Sequence, residues 1–275
     1  MSEDTTEVNP PALSFKDALN ALDTVSKDSF ISEVWIPSLN RSVTVKEINA
    51  RQQKNLLEAA IDSSVYKTTF SKAFYDIIIS NISEPREVLD SLTIADKIAI
   101  AVALRSQISP TIKVEFEDSD ITEDISLKTI TDKIKHYVTP PEESFEVVKN
   151  GVSISVNVIL PTIHSEVQFD TFLLKNKKKT DDTEEVKTII TDAFLGETSK
   201  YIKNVSIDGG DLNYSSFSIH QKIQFVEKLP AAVIQKILDI VAKWKKELEA
   251  VITIKASTGD YTKLLEVDSL LFLTN

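Results

Sequence analysis

The sequence predicts an α+β fold, with antiparallel strands and helices segregated along the chain. Three observations carry this. Apolar and polar residues alternate on either side of a turn within residues 34–45, and an Asn150-Gly151 pair separates two further alternating runs. Apolar residues also recur at three- and four-residue spacings in 68–82, 93–105 and 230–248. The expected arrangement is an N-terminal β-hairpin plus helices, a central antiparallel sheet, and a C-terminal helix pair with a β-hairpin.

The chain organises itself around residues 34–61. Val34 and Ile36 alternate with polar neighbours, a Pro37-Ser38-Leu39-Asn40 turn follows, and Val43 and Val45 resume the alternation on the way back. From Gln52 the period changes to that of a helix, with Leu56, Leu57, Ala60 and Ile61 on one stripe, so the hairpin and this helix are expected to cover each other. Upstream, residues 1–13 are polar and acidic with tandem Pro10 and Pro11, and are expected to remain an unpacked tail. Ser14 then caps a short amphipathic helix carrying Phe15, Leu19 and Leu22 on one side, a candidate surface for docking on a partner protein.

Phe70, Phe74, Ile77 and Ile78 form the apolar side of a second helix, with Lys72, Tyr75 and Asp76 placed elsewhere on its circumference. Beyond Pro85, Thr93 and Asp96 have the spacing of a capping box. The helix they open is apolar nearly all round over residues 98–104, which makes it the central one. Arg105 at its end is placed to meet the negative end of the helix dipole.

A strand with Ile112, Val114 and Phe116 on its dry face follows, then a helix over 126–137 that uses Leu127, Ile130 and Ile134. Asn150-Gly151 supplies the positive φ angles of a tight hairpin turn, and Val152, Ile154, Val156 and Val158 face the core on the return strand. Residues 175–185, a lysine block followed by an acidic one, read as an exposed loop. Residues 186–194 read as helix and 199–205 as strand, with Gly196 as the break between them, and Gly209-Gly210 marks another turn. Ser216 or Ser218 caps a helix containing Ile223 and Val226, Pro230 opens the longest one, and Val233, Ile237, Ile240, Val241, Trp244 and Leu248 stripe it. A last hairpin pairs 251–254 with 264–267 across Gly259. The regions so defined are 1–29, 30–109, 110–215 and 216–275.

Composition narrows the function. The chain is 275 residues long with 42 acidic against 31 basic side chains, a net charge of −11 that opposes a phosphate backbone, so nucleic acid is not an expected partner. Only Lys177 to Lys179 argue the other way. The longest apolar run has seven residues, far from the ~20 that cross a bilayer, and the start MSEDTTEV has no basic leader, so no membrane is expected. With no cysteine, thiolate catalysis and thiolate metal sites are excluded. His136, His164 and His220 lie in separate segments, the five glycines form no phosphate loop, and no GxSxG elbow occurs. Asp181-Asp182 and Glu142-Glu143 sit in loops without an apolar pocket. No catalytic residue, cofactor or metal is expected. The alternative from another class is a hydrolase with a spatial site around His164 or His220.

In order along the chain, the elements resemble those of T-even-type bacteriophage baseplate proteins associated with the central hub. The resemblance runs from Ile36-Pro37-Ser38 and the helix after it, through LTIADKIAIAVALRS and the hairpin VKNGVSISVNVILP, to KLPAAVIQKI and LEVDSLLF. The first 33 residues and the lysine-rich stretch from Lys175 have no counterpart in it. It implies a nonenzymatic protein made in the host cytoplasm that binds other tail proteins while the baseplate hub is built, and that is either retained in the particle or acts only in assembly.

Overall fold

The computed structural model describes residues 14–17, 20, 31–61, 68–117, 119–176 and 183–272. Strands β1 (Ile31–Ile36) and β2 (Arg41–Lys46) pair antiparallel, with Val34 opposite Val43 and Ile36 opposite Arg41. A single 3-10 turn, Pro37–Leu39, joins them, and Asn40 takes the left-handed conformation (φ 50°) that lets the chain reverse. Helix α1 (Ala50–Ile61) starts on a reciprocal cap between Asn49 and Gln52, at 2.9 and 3.0 Å.

The hairpin is not covered by α1. Its buried side chains, Val34, Ile36, Val43 and Val45, pack on the central helix α4 (Ile94–Ile108), which is buried nearly all round from Ile98 to Leu104. Of the stripe expected on α1, Leu56 is buried, while Leu57 (48% exposed) and Ile61 (70%) face outward. The physical reason is competition. An all-round apolar helix offers the hairpin more surface to bury than a helix with one inward leucine.

Helix α2 (Thr68–Asn81) buries Phe70, Phe74, Ile77 and Ile78 as expected. Tyr75 is buried too, because α3 (Arg86–Ser91) brings Asp90 to its hydroxyl. Buried Asn81 closes the turn between β2 and α1, donating to the carbonyls of Lys46 (3.2 Å) and Glu47 (2.9 Å) and accepting from Gln52. Strands β3 (Thr111–Glu115) and β4 (Thr122–Ser126) form a second hairpin that leads into α5 (Leu127–His136), whose Leu127, Ile130 and Ile134 are buried.

The largest sheet is four-stranded and antiparallel, in the order β5-β6-β7-β8: β5 (Glu143–Lys149), β6 (Val152–Val158), β7 (Ile202–Ile207) and β8 (Gly210–Leu212). The Asn150-Gly151 turn has φ of 54° and 81°, and Asp208-Gly209 (49° and 79°) repeats the device between β7 and β8. One face of the sheet, with Ile154, Val156, Val158 and Val205, packs with α8 (Ile219–Lys228) and α9 (Ala231–Ile252) around fully buried Trp244. Ser218, not Ser216, caps α8.

Between β6 and β7 run two helices, α6 (Ile163–Asn176) and α7 (Thr183–Lys200). Of the loop expected over 175–185, Lys175 and Asn176 instead end α6 and residues 183–185 begin α7, while residues 177–182 lie outside the described residues. Helix α7 also runs straight through Gly196, which is packed against Phe169 of α6 instead of breaking the helix. At the C-terminus α9 continues to Ile252, so the last hairpin is only β9 (Thr253–Lys255) with β10 (Thr262–Leu264). Helix α10 (Val267–Phe272) then returns to α4 with Leu270 and Leu271 buried. The core around α4 thus draws on residues 34–134, Ile163 of α6 and residues 251–271 together.

Candidate functional site

The most concentrated chemistry lies where α4, α6 and α7 meet. Lys97 of α4 donates to Glu166 of α6 at 2.8 Å, and Lys200 at the end of α7 pairs with Glu197 at 2.5 Å. Asp170 stands one turn along α6 from Glu166 and accepts a hydrogen bond from Ser71 of α2. Burial pushes the Asp170 carboxyl up to about 6, against the hydrogen bond from Ser71 and the pull of Lys200. Burial acts on Glu166 in the same sense, but Lys97 and Lys200 outweigh it and hold that carboxyl below its ordinary value. The Lys200 ammonium is held above its own, since Glu197, Glu166 and Asp170 together exceed the cost of burial. These charges satisfy one another across three helices, which makes the cluster a brace. It escapes sequence reading because Glu166 and Asp170 sit on α6, where the pattern suggested no element.

A second group surrounds Tyr75. Its hydroxyl donates to Asp90 and accepts from Arg86 (3.1 Å), Arg86 pairs with Asp90 at 2.8 Å, and the His164 ring lies 5.4 Å from that of Tyr75. Nδ1 of His164 is 4.0 Å from Asp90, and its Nε2 contacts Gln168 at 2.8 Å. The other histidines have different settings: Nδ1 of His136 meets the Asp132 carbonyl on α5, and His220 is exposed on α8. The structure therefore does not bring the three histidines to one centre. Among the described residues, no group of three or more His, Cys, Asp or Glu could hold a metal ion.

Glu142 and Glu143 are also drawn apart. Glu142 pairs with Lys203 (2.6 Å), whereas Glu143 meets Lys243 (3.4 Å) and accepts from the Trp244 indole (3.2 Å). Arg105 is buried at the end of α4, where desolvation holds its pKa below the ordinary arginine value. Lys177 to Lys179 and Asp181-Asp182 lie outside the described residues.

Surface comes next. Phe15 is helical and 80% exposed, on a turn where the Asp17 amide donates to the Ser14 hydroxyl at 3.1 Å; Leu19 and Leu22 lie outside the described residues. The structure adds apolar surface that the pattern did not single out. Ile190 and Phe194, one turn apart on α7, are 58% and 50% exposed, and Leu174 near the end of α6 is also exposed. Leu57 and Ile61 form a similar pair on α1. A cleft of about 350 Å³ between β1, α4 and α5 is walled by Trp35, Ala103, Gln107 and Ile134. No helix among the described residues is long and apolar enough to cross a membrane.

A protein-family model described as T4 bacteriophage base plate protein matches residues 29–271. No curated protein and no solved structure matches the chain.

Proposed function

The chain belongs to the T4 bacteriophage base plate protein family, and from that premise we propose that it acts in assembly of the baseplate hub by binding other tail proteins, without catalysing a reaction. The family match carries the reading, since it takes in nearly every described element from β1 to α10. The surface supports it. Paired apolar side chains on α1 and α7 stand open to solvent, as docking surfaces do, while the charged clusters are satisfied within the fold. On this reading the protein is made and used in the host cytoplasm, and the short helix at Phe15 adds a further contact outside the matched region.

The deciding experiment is quantitative mass spectrometry of purified virions beside tail intermediates isolated from infected cells. Presence only in intermediates makes the protein an assembly factor. A fixed copy number in virions supports the second reading, a structural component retained in the mature baseplate, which the same family match favours. Absence from both overturns the baseplate role. Deleting residues 1–29 is expected to weaken partner binding and leave the fold intact, and unchanged binding removes the Phe15 helix from the interface. Replacing His136, His164 and His220 together is expected to leave phage viability unchanged; loss of viability in a folded variant would favour a hydrolase.

A further inference from the structure

The hairpins β3–β4 and β9–β10 come together beside α5 and α9. The Glu123 carboxylate accepts the Ser257 amide at 2.9 Å and its hydroxyl at 2.5 Å, and Lys263 pairs with Glu117. Each hairpin is a separate two-stranded sheet, so β4 and β9 each carry an edge that meets no further strand among the described residues.

The register identifies the groups on those edges. In β3–β4 the Phe116 amide bonds the Ile121 carbonyl (3.1 Å) and the Leu127 amide bonds the Pro110 carbonyl (3.0 Å), at the two ends of a ladder in which Ile112 faces Ile125. Antiparallel pairs alternate between those that exchange hydrogen bonds and those that do not. Glu123 and Ile125 therefore bond β3, while Asp124 and Ser126 turn their amides away from it. In β9–β10 the Ala256 amide bonds Tyr261 (2.9 Å) and the Leu265 amide bonds Ile252 (3.2 Å). Ile254 thus bonds Lys263, and Thr253 and Lys255 turn outward.

All four outward-turned residues line one groove of about 720 Å³, together with Ile125 and Ile254 between them. A strand that presents a face contributes alternate residues; consecutive ones mean that the edge faces the groove. Thr253 is already engaged, its amide by the Glu249 carbonyl and its carbonyl by the Lys133 ammonium at 2.7 Å. Among the described residues the amides of Asp124, Ser126 and Lys255 meet no strand partner, and Lys133, Lys246 and Lys255 line the same groove. Burial and the charge of Lys255 hold Lys133 below its ordinary value, so an anion in the groove relieves both lysines.

The geometry points to a β-augmentation site, in which an extended acidic segment of another baseplate protein adds as a strand between the edges of β4 and β9. The two hairpins then become one five-stranded sheet. Three lysines against Asp124 and Glu249 leave the groove net positive on a chain of net charge −11, which selects an acidic occupant. The groove lies wholly within the family match, whereas the acidic stretch of this chain, residues 1–13, lies outside it, which favours a segment of another protein. That the partner is a baseplate protein rests on the reading given above.

The test is amide hydrogen exchange by NMR on the full chain, with a blocked peptide of repeated Thr-Glu-Val as probe and its Thr-Lys-Val counterpart as control. The acidic peptide is expected to slow exchange at Asp124, Ser126 and Lys255 at least tenfold, to leave the already bonded Ile125 and Ile254 unchanged, and to lose its effect in the exposed-site variants K246E and K255E. No slowing, equal slowing at all five amides, or the same result with the lysine peptide overturns the site. A chain lacking residues 1–13 completes the test: if the three amides are slow in the full chain alone and speed up in the shortened one, the occupant is the chain's own tail and the proposal falls. Exchange is read on the isolated protein, so absence from virions and intermediates would sink the baseplate role and leave this result standing.

Discussion

The backbone amide of Ser38 donates a 3.0 Å hydrogen bond to Oδ1 of Asp96, fastening the β1–β2 turn to the N-terminus of the central helix. The other carboxylate oxygen of Asp96 accepts the Thr93 amide (2.6 Å) and hydroxyl (2.8 Å), and the residue is fully buried. One side chain therefore caps α4 and holds the hairpin on it. D96A leaves three donors without an acceptor, two of them on the backbone. A lost cap costs about 1 kcal/mol, and each buried unpaired donor about 1–3 kcal/mol. We expect D96A to lose about 3 kcal/mol in urea denaturation and D96N, which keeps one acceptor, to lose roughly half as much. Equal stability of D96A and the native chain would show that the turn is held by apolar packing alone.

Each half of that bond was legible in the sequence. Thr93 and Asp96 have the spacing of a cap, and Ile36-Pro37-Ser38 reads as a turn, because both signals are local. Their joining spans 58 positions and left no local trace. The same division runs through the fold. The Asn150-Gly151 hairpin, the apolar α4 and the stripe on α9 were readable from period and turn chemistry. The burial of Tyr75 depends on Asp90 in another helix, and the partner of the hairpin was decided by competition between α1 and α4. The exposed apolar residues were the least legible. Ile190 and Phe194 are distinguished only by what α6 and α8 leave uncovered.

Gly196 was misread for a related reason. A Cβ built on it would lie 1.9 Å from Cε2 of Phe169, so glycine here permits close approach of α6 and α7 instead of ending a helix. Alanine gains about 1 kcal/mol of helix propensity but must displace a buried ring, and overpacking of this kind costs about 1–3 kcal/mol. G196A is therefore expected to lower stability by up to about 2 kcal/mol net. F169L in the same chain should recover part of the loss, which a double-mutant cycle by thermal denaturation would measure. A stabilised G196A would mean that the helices separate at little cost.

Ile190 and Phe194 give the binding hypothesis a direct handle. Both are exposed on one side of α7, so I190D and F194D together remove apolar surface without emptying the core. Such exposed changes alter stability by about 0.5 kcal/mol each or less. Incorporation into tail intermediates is expected to fall at least tenfold while the urea midpoint stays close to that of the native chain. Normal incorporation would move the interface to another face, with Leu57 and Ile61 on α1 the next pair to change.

Asp170 makes stability depend on pH with a sign opposite to that of its neighbour. Its folded pKa of about 6 lies above the ordinary 3.8, so the folded state holds the proton more tightly than the unfolded chain. The stability it contributes is fully present below the unfolded value and is lost as pH rises through about 6. Glu166, held low by Lys97 and Lys200 against its burial, contributes stability above the ordinary glutamate value that is lost as pH falls below it. D170N removes a partly desolvated charge and keeps a carbonyl to accept the Ser71 hydroxyl. At pH 8 the variant should therefore exceed the native chain by on the order of 2 kcal/mol, with the difference shrinking toward pH 4. Urea titrations at pH 8, 6 and 4.5 measure this. A difference that does not change with pH would place the Asp170 charge outside the balance, and a variant less stable at pH 8 would mean that the attraction of Lys200 outweighs the cost of burying the carboxylate.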